Sequence, residues 1–116
     1  MTAKSYMDVI ALDQLRDSYV TLFQVAGRAV IVARMGDTVC AFDGTCTHAD
    51  FQFATSRLVH GREIECPMHG ACFDAATGAV TEGPAERALQ PLTLTVEEGI
   101  VRLYADWADA GERSDA

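Results

Sequence analysis

Alternation of apolar and polar residues runs along the chain to about position 43 and returns after position 90. Residues 6–11 alternate weakly and predict a first strand. Leu12-Asp13-Gln14-Leu15 then reads as a turn or a short helical turn. The runs 18–26 and 28–35 are rich in β-branched and aromatic residues and meet at Gly27, which predicts a hairpin. Gly36-Asp37 marks the next turn, and residues 38–43 return as a strand that ends at Asp43-Gly44. Near the other end, residues 91–96 set Leu92, Leu94 and Val96 against Thr93 and Thr95, the pattern of one half-buried strand. Glu98-Gly99 turns it, and residues 100–104 alternate again. The strands at the two ends are expected to form one β scaffold, about residues 5–43 and 84–105.

The middle of the chain, about residues 44–83, breaks this pattern. Arg57-Leu58-Val59 and Arg62-Glu63-Ile64-Glu65 flank His60-Gly61 and suggest a short hairpin, with His60 solvent-exposed at its turn. Cys72-Phe73-Asp74 reads as a strand entering a turn at Thr77-Gly78, and Ala79-Val80 leads out of it. Glu82-Gly83-Pro84-Ala85 is a loop of restricted geometry. The expected architecture is all-β, one domain over residues 1–116. A subdomain at about 44–83 is inserted in the scaffold, and residues 106–116 form a polar, acidic tail whose one large apolar group is Trp107.

The chemistry lies in that inserted stretch. Cys46 and His48 form a Cys-x-His pair, and Cys66 and His69 form a Cys-x-x-His pair. Two thiolates and two imidazoles suit a tetrahedral zinc site or a [2Fe–2S] centre in which two His replace two Cys. One Cys and one His on each short loop favours iron–sulfur, because each loop could then give one ligand to each iron. The other cysteines read differently. Cys40 sits within a strand and reads as a small buried hydrophobe. Cys72 follows the second loop and reads as a packing residue or a neighbour that supports the ligands, not a ligand itself.

The stretch C-T-H at 46–48 and C-P-M-H-G at 66–70 resembles the Rieske signature, and a looser resemblance to one small Rieske domain covers about residues 5–105. The resemblance implies a Rieske-type fold of small antiparallel sheets and one [2Fe–2S] cluster per chain. It assigns Cys46 and Cys66 to the inner iron and His48 and His69 to the outer one, with the Gly83-Pro84 loop over the cluster. Respiratory and photosynthetic members carry an extra disulfide and sulfur-directed Ser and Tyr hydroxyls. Phe51 and Met68 stand at the disulfide positions here, and Ala71 and Phe73 at the hydroxyl positions. The pattern is therefore similar to the soluble Rieske ferredoxins of bacterial ring-hydroxylating dioxygenase systems. It implies an electron carrier between a flavin-containing, NAD(P)H-dependent ferredoxin reductase and a terminal Rieske non-haem iron oxygenase. The alternatives are the small Rieske-like subunit of an assimilatory nitrite reductase and a zinc-stabilised binding module.

Composition narrows this further. At 116 residues and 49% hydrophobic content the chain is expected to build one modest core, with no room for a separate catalytic oxygenase domain. No apolar run is long enough to predict a membrane span, and the first residues lack a secretory pattern, so a cytoplasmic monomer is expected. A net charge of −8 disfavours nucleic acid and favours a basic partner.

Overall fold

A computed structural model describes residues 6–45, 52–66, 70–83 and 87–105. These residues form three antiparallel sheets and no α-helix. The strands are β1 (Tyr6–Ala11), β2 (Tyr19–Val25), β3 (Arg28–Met35), β4 (Thr38–Asp43), β5 (Ser56–Arg57), β6 (Glu63–Glu65), β7 (Cys72–Asp74), β8 (Val80–Glu82), β9 (Pro91–Leu92), β10 (Leu94–Glu97) and β11 (Ile100–Tyr104). A 3₁₀ turn at Leu12–Gln14 follows β1. The sheet orders are β1-β11-β10, β5-β2-β3-β4-β9 and β6-β7-β8. This is the all-β architecture expected from the alternation.

The β2–β3 hairpin forms as the pattern predicts. Ala26 and Gly27 both take positive φ, +50° and +81°, the geometry of a two-residue turn whose twist matches the strands it joins. Leu22 then faces Ile31, and Val20 faces Ala33.

Strand β3 is apolar on both faces. Ile31 and Ala33 join a core with Val20, Phe42, Phe53, Leu58, Ile64 and Phe73, on the side of the β6-β7-β8 sheet. Val30 and Val32 join a second core with Ala41, Val101 and Leu103, on the side of the β1-β11-β10 sheet. The five-stranded sheet is thus a wall between two cores, and its side chains alternate between them because successive residues of a strand face opposite ways.

Two expectations are corrected. Residues 91–96 are not one strand. Pro91 and Leu92 pair with Phe42 and Ala41, whereas Leu94–Glu97 pairs with β11. The run changes sheets at Thr93, whose carbonyl accepts the Tyr104 N–H at 2.8 Å. Proline has no N–H for a ladder, so Pro91 suits the edge strand it occupies. Val96, expected to be buried, is 41% exposed.

The hairpin expected around His60-Gly61 is reduced to a turn with one bridge, Val59↔Glu63. Arg57 pairs instead with Tyr19, and Ser56 with Val20, so this segment extends the wall. Its guanidinium lies over the Tyr19 ring at 5.2 Å. His60 is exposed with φ +54°, as a turn residue should be.

Gly78 shows how tightly the first core is closed. It has φ +84°, and an added Cβ would lie 2.9 Å from the Phe42 ring and 3.0 Å from the Leu89 carbonyl oxygen. Gly78→Ala is expected to cost about 3 kcal/mol or more, combining a left-handed backbone with overpacking. Gly99→Ala, at φ +76° in open space, should cost only about 1 kcal/mol. Denaturant midpoints of the anaerobic, cluster-loaded protein, followed by circular dichroism, measure both.

Candidate metal centre

The first candidate ligand loop leaves the wall at the end of β4. The Asp43 carboxylate holds this exit with two contacts. Oδ1 accepts the Thr45 N–H at 3.0 Å, and Oδ2 accepts from Arg28 Nη2 at 2.6 Å. The ion pair is partly solvent-exposed, 38% at Arg28 and 24% at Asp43, so screening limits it to about 1 kcal/mol. Gly44 follows because the backbone must touch β3. Its N–H donates to the Ala29 carbonyl at 2.9 Å, and a Cβ there would lie 2.8 Å from the Ala29 carbonyl carbon. The chain returns at Gln52, which bridges Thr45, and Phe53 donates its N–H to the Gly44 carbonyl at 2.9 Å. Gly44 and Thr45 are therefore joined to Gln52 and Phe53.

The second loop springs from β6 and re-enters at β7. Cys66 donates its N–H to the Ala71 carbonyl at 2.7 Å, and its carbonyl accepts the Gly70 N–H at 3.0 Å. Gly70 makes this turn at φ +77°, which a glycine adopts at little cost. The two loop bases meet through Phe53 and Phe73, in edge-to-face contact with centroids 5.9 Å apart.

Of the four candidate ligands, Cys66 lies among the described residues. It is 0% exposed, unbridged, and packed in the first core beside Phe53, Ala71 and Phe73. Cys46, His48 and His69 lie outside the described residues, as do Phe51, Met68, Pro84 and Trp107. Cys66 is thus a fully buried, unbridged thiol at the base of a turn, and two thiols with two imidazoles is the donor chemistry a Rieske cluster takes.

Cys40 and Cys72 are unbridged. Cys40 is half-buried rather than fully buried, with Sγ 3.7 Å from the Ala76 carbonyl oxygen. Burial pushes its thiol up, and Asp74 adds to that. Cys72 is buried, and its thiol is pushed up by burial first and then by Glu65, Glu63 and Glu82. Ala71 and Phe73 are both fully buried and supply no hydroxyl.

From sequence, Asp43-Gly44 only ends a strand and leads into the first candidate ligand loop, and Phe53 has no assigned role. An Asp-Gly pair one residue ahead of a Cys-x-His motif is the signal for a capped, closely docked loop entrance.

A small β scaffold that brings together two closed loops, one of them presenting a buried thiol, is the build of a metal-cluster carrier. The chain belongs to the Rieske [2Fe-2S] domain family, whose model matches residues 5–96. It is 28% identical over 100 residues to the ferredoxin component of the naphthalene 1,2-dioxygenase/salicylate 5-hydroxylase systems of Ralstonia sp, covering 86% of this chain and 95% of that protein. The ferredoxin of carbazole 1,9a-dioxygenase from Nocardioides aromaticivorans IC177 superposes with a TM-score of 0.78 at 33% identity, over 86% of this chain and 97% of that one. A chain in the complex of reduced oxygenase and oxidized ferredoxin in carbazole 1,9a-dioxygenase matches at TM-score 0.79 and 28% identity, over 88% and 94%. The protein accordingly carries a [2Fe–2S] cluster and is an electron-transfer component, not a catalyst.

Asp43→Ala should leave the Thr45 N–H and the Arg28 guanidinium without their shared partner, costing about 1–3 kcal/mol and lowering iron per chain. Asp43→Asn keeps an acceptor for Thr45 and should lose less. Iron analysis and denaturant midpoints of both variants check the ranking.

Proposed function

We propose that Cys46, His48, Cys66 and His69 hold the cluster, and that the protein passes single electrons from a flavin-containing, NAD(P)H-dependent ferredoxin reductase to a terminal Rieske non-haem iron oxygenase that acts on aromatic compounds. The observation that carries this reading is the near full-length match to ferredoxin components of aromatic dioxygenase systems, joined to a buried, unbridged Cys66 at the position the motif requires. The bound group supplies reversible one-electron chemistry.

The chain's own residues set the conditions for that chemistry. Cys66 is fully buried in the same apolar core as Phe53, Phe73, Ile64 and Leu58. The backbone bonds of Cys66 to Gly70 and Ala71 hold the turn in one shape, so little rearrangement accompanies the gain or loss of an electron. The methyl of Ala71 and the ring of Phe73 offer no proton to sulfur, so added negative charge there is stabilised less, which lowers the potential.

The organisation that goes with this function is a cluster-binding unit at about residues 44–83, tied to the scaffold by Ser56–Arg57, with the scaffold at about 5–43 and 84–105 and an acidic tail at 106–116. Among the described residues no helix is long and apolar enough to cross a membrane. The carrier acts as a cytoplasmic monomer, and its net charge of −8 suits basic docking faces on both partners. The test is reconstitution: purified reductase, this protein and oxygenase are combined, and substrate hydroxylation is scored. Hydroxylation that proceeds equally without this protein overturns the reading.

His69→Ala is expected to give apo or unstable protein, whereas His60→Ala, at the exposed turn, should keep about two irons and two labile sulfides per chain. Iron and sulfide analysis decides this. Protein-film voltammetry should give a midpoint near the bottom of the Rieske range, on the order of −150 mV, and the double change Ala71→Ser with Phe73→Tyr should raise it. A wild-type midpoint well above zero contradicts this account.

A further inference from the structure

The ligand proposal makes no use of Cys72, a buried thiol beside the second loop. This residue lies on β7, the central strand of the β6-β7-β8 sheet. Its neighbour Phe73 faces the first core, opposite Ile64. Cys72 faces the other way, with Glu65 on β6 and Glu82 on β8 as its cross-strand partners. It is only 6% exposed. Its Sγ lies 3.6 Å from the Gly70 carbonyl oxygen, within reach for a thiol donor.

Gly70 is already bound to Cys66 through its own N–H, and Cys66 to Ala71 through its N–H. The turn that presents Cys66 therefore has three clamps. Two are backbone bonds and depend little on which side chains are present. The third depends on the side chain at position 72. A clamp of this kind needs the proton on sulfur. Burial and the flanking carboxylates of Glu65, Glu63 and Glu82 all disfavour the thiolate, so the donor persists at neutral pH. The same arrangement keeps Cys72 out of the ligand set, because its side chain points away from the face that carries Phe73, against which Cys66 packs.

We propose that Cys72 is a positioning residue for Cys66: the thiol hydrogen, donated to the Gly70 carbonyl, holds the turn from which Cys66 offers its sulfur to the cluster. This rests on Cys66 being a ligand, and the experiment separates the two statements.

The experiment compares Cys72→Ser, Cys72→Val and Cys72→Ala with the wild-type holoprotein. Serine keeps a donor, valine keeps apolar volume without one, and alanine keeps neither. Cys72→Ser should retain the wild-type midpoint potential and the electron paramagnetic resonance line shape of the reduced protein. Cys72→Val and Cys72→Ala should shift the midpoint, broaden the signal, and lose iron to a ferrous chelator about two- to tenfold faster, the range one net hydrogen bond corresponds to. If Cys72→Val and Cys72→Ser behave alike, position 72 acts through packing alone and the proposal is overturned. Infrared spectra of the wild-type protein give a readout that does not depend on any variant loading its cluster. The S–H stretch absent from Cys72→Ser should lie at the lower frequency of a bonded thiol, and a free-thiol frequency overturns the proposal. The ligand assignment fails separately, if Cys66→Ser keeps an unaltered cluster.

Discussion

The structure depends on a sheet that is apolar on both faces. In β3, Ile31 and Ala33 serve one core while Val30 and Val32 serve the other. A shift of one residue in register would exchange every side chain between the two cores. The β2–β3 turn, with two positive-φ residues at Ala26 and Gly27, sets that register, and the pairings from Tyr19↔Arg34 to Val25↔Arg28 maintain it. Everything that positions the metal centre is attached to this wall. β4 runs into the first ligand loop, β5 returns from it to pair with β2, and the second loop's sheet rests on the core that Ile31 and Phe42 help to form.

The loops themselves are short and closed. Thr45↔Gln52 closes the first, and the bonds of Cys66 to Gly70 and Ala71 close the second. A redox site gains from this. Backbone bonds already made at the loop bases do not have to change when charge is added or removed, so the protein contributes little reorganisation. The Phe53–Phe73 contact couples the two bases by packing. In respiratory relatives a disulfide is expected in this region, whereas here Phe51 and Met68 hold the corresponding positions.

The electron-transfer role comes from the family and the ferredoxin relatives, and the surroundings of Cys66 are compatible with it. Cys66 is enclosed by apolar side chains, and the positions that could give hydroxyl donors are Ala and Phe. Such a centre favours the oxidised state more than a donor-rich one does, and suits a carrier that must hand its electron onward. Outside this core the chain is strongly acidic, and Glu63, Glu65 and Glu82 stand on the strands of the cluster-side sheet. The apolar residues thus lie inside and these carboxylate-bearing residues on the cluster-side sheet's strands.

Much of this was legible in the sequence. The two-residue period gave β1 to β4 and β11 nearly to the residue, because alternation and turn chemistry are local properties. The family was legible from the Cys-x-His and Cys-x-x-His spacing, because a metal site needs particular atoms close together along the chain. Other features were decided by partners distant along the chain. Arg57 leaves its neighbours at 62–65 to join Tyr19, since β2 has an open edge with an aromatic ring to cover. The run 91–96 looks uniform, yet splits at Thr93 because β4 and β11 each have an unpaired edge and one segment passes both. Asp43 reads only as the end of a strand until Arg28, from the start of β3, is seen beside it, and Phe53 has no evident role until Phe73 meets it. Period and motif are written in neighbouring residues. Edge pairing, ion pairs and ring contacts are settled only when the wall has formed and shown which groups remain unsatisfied.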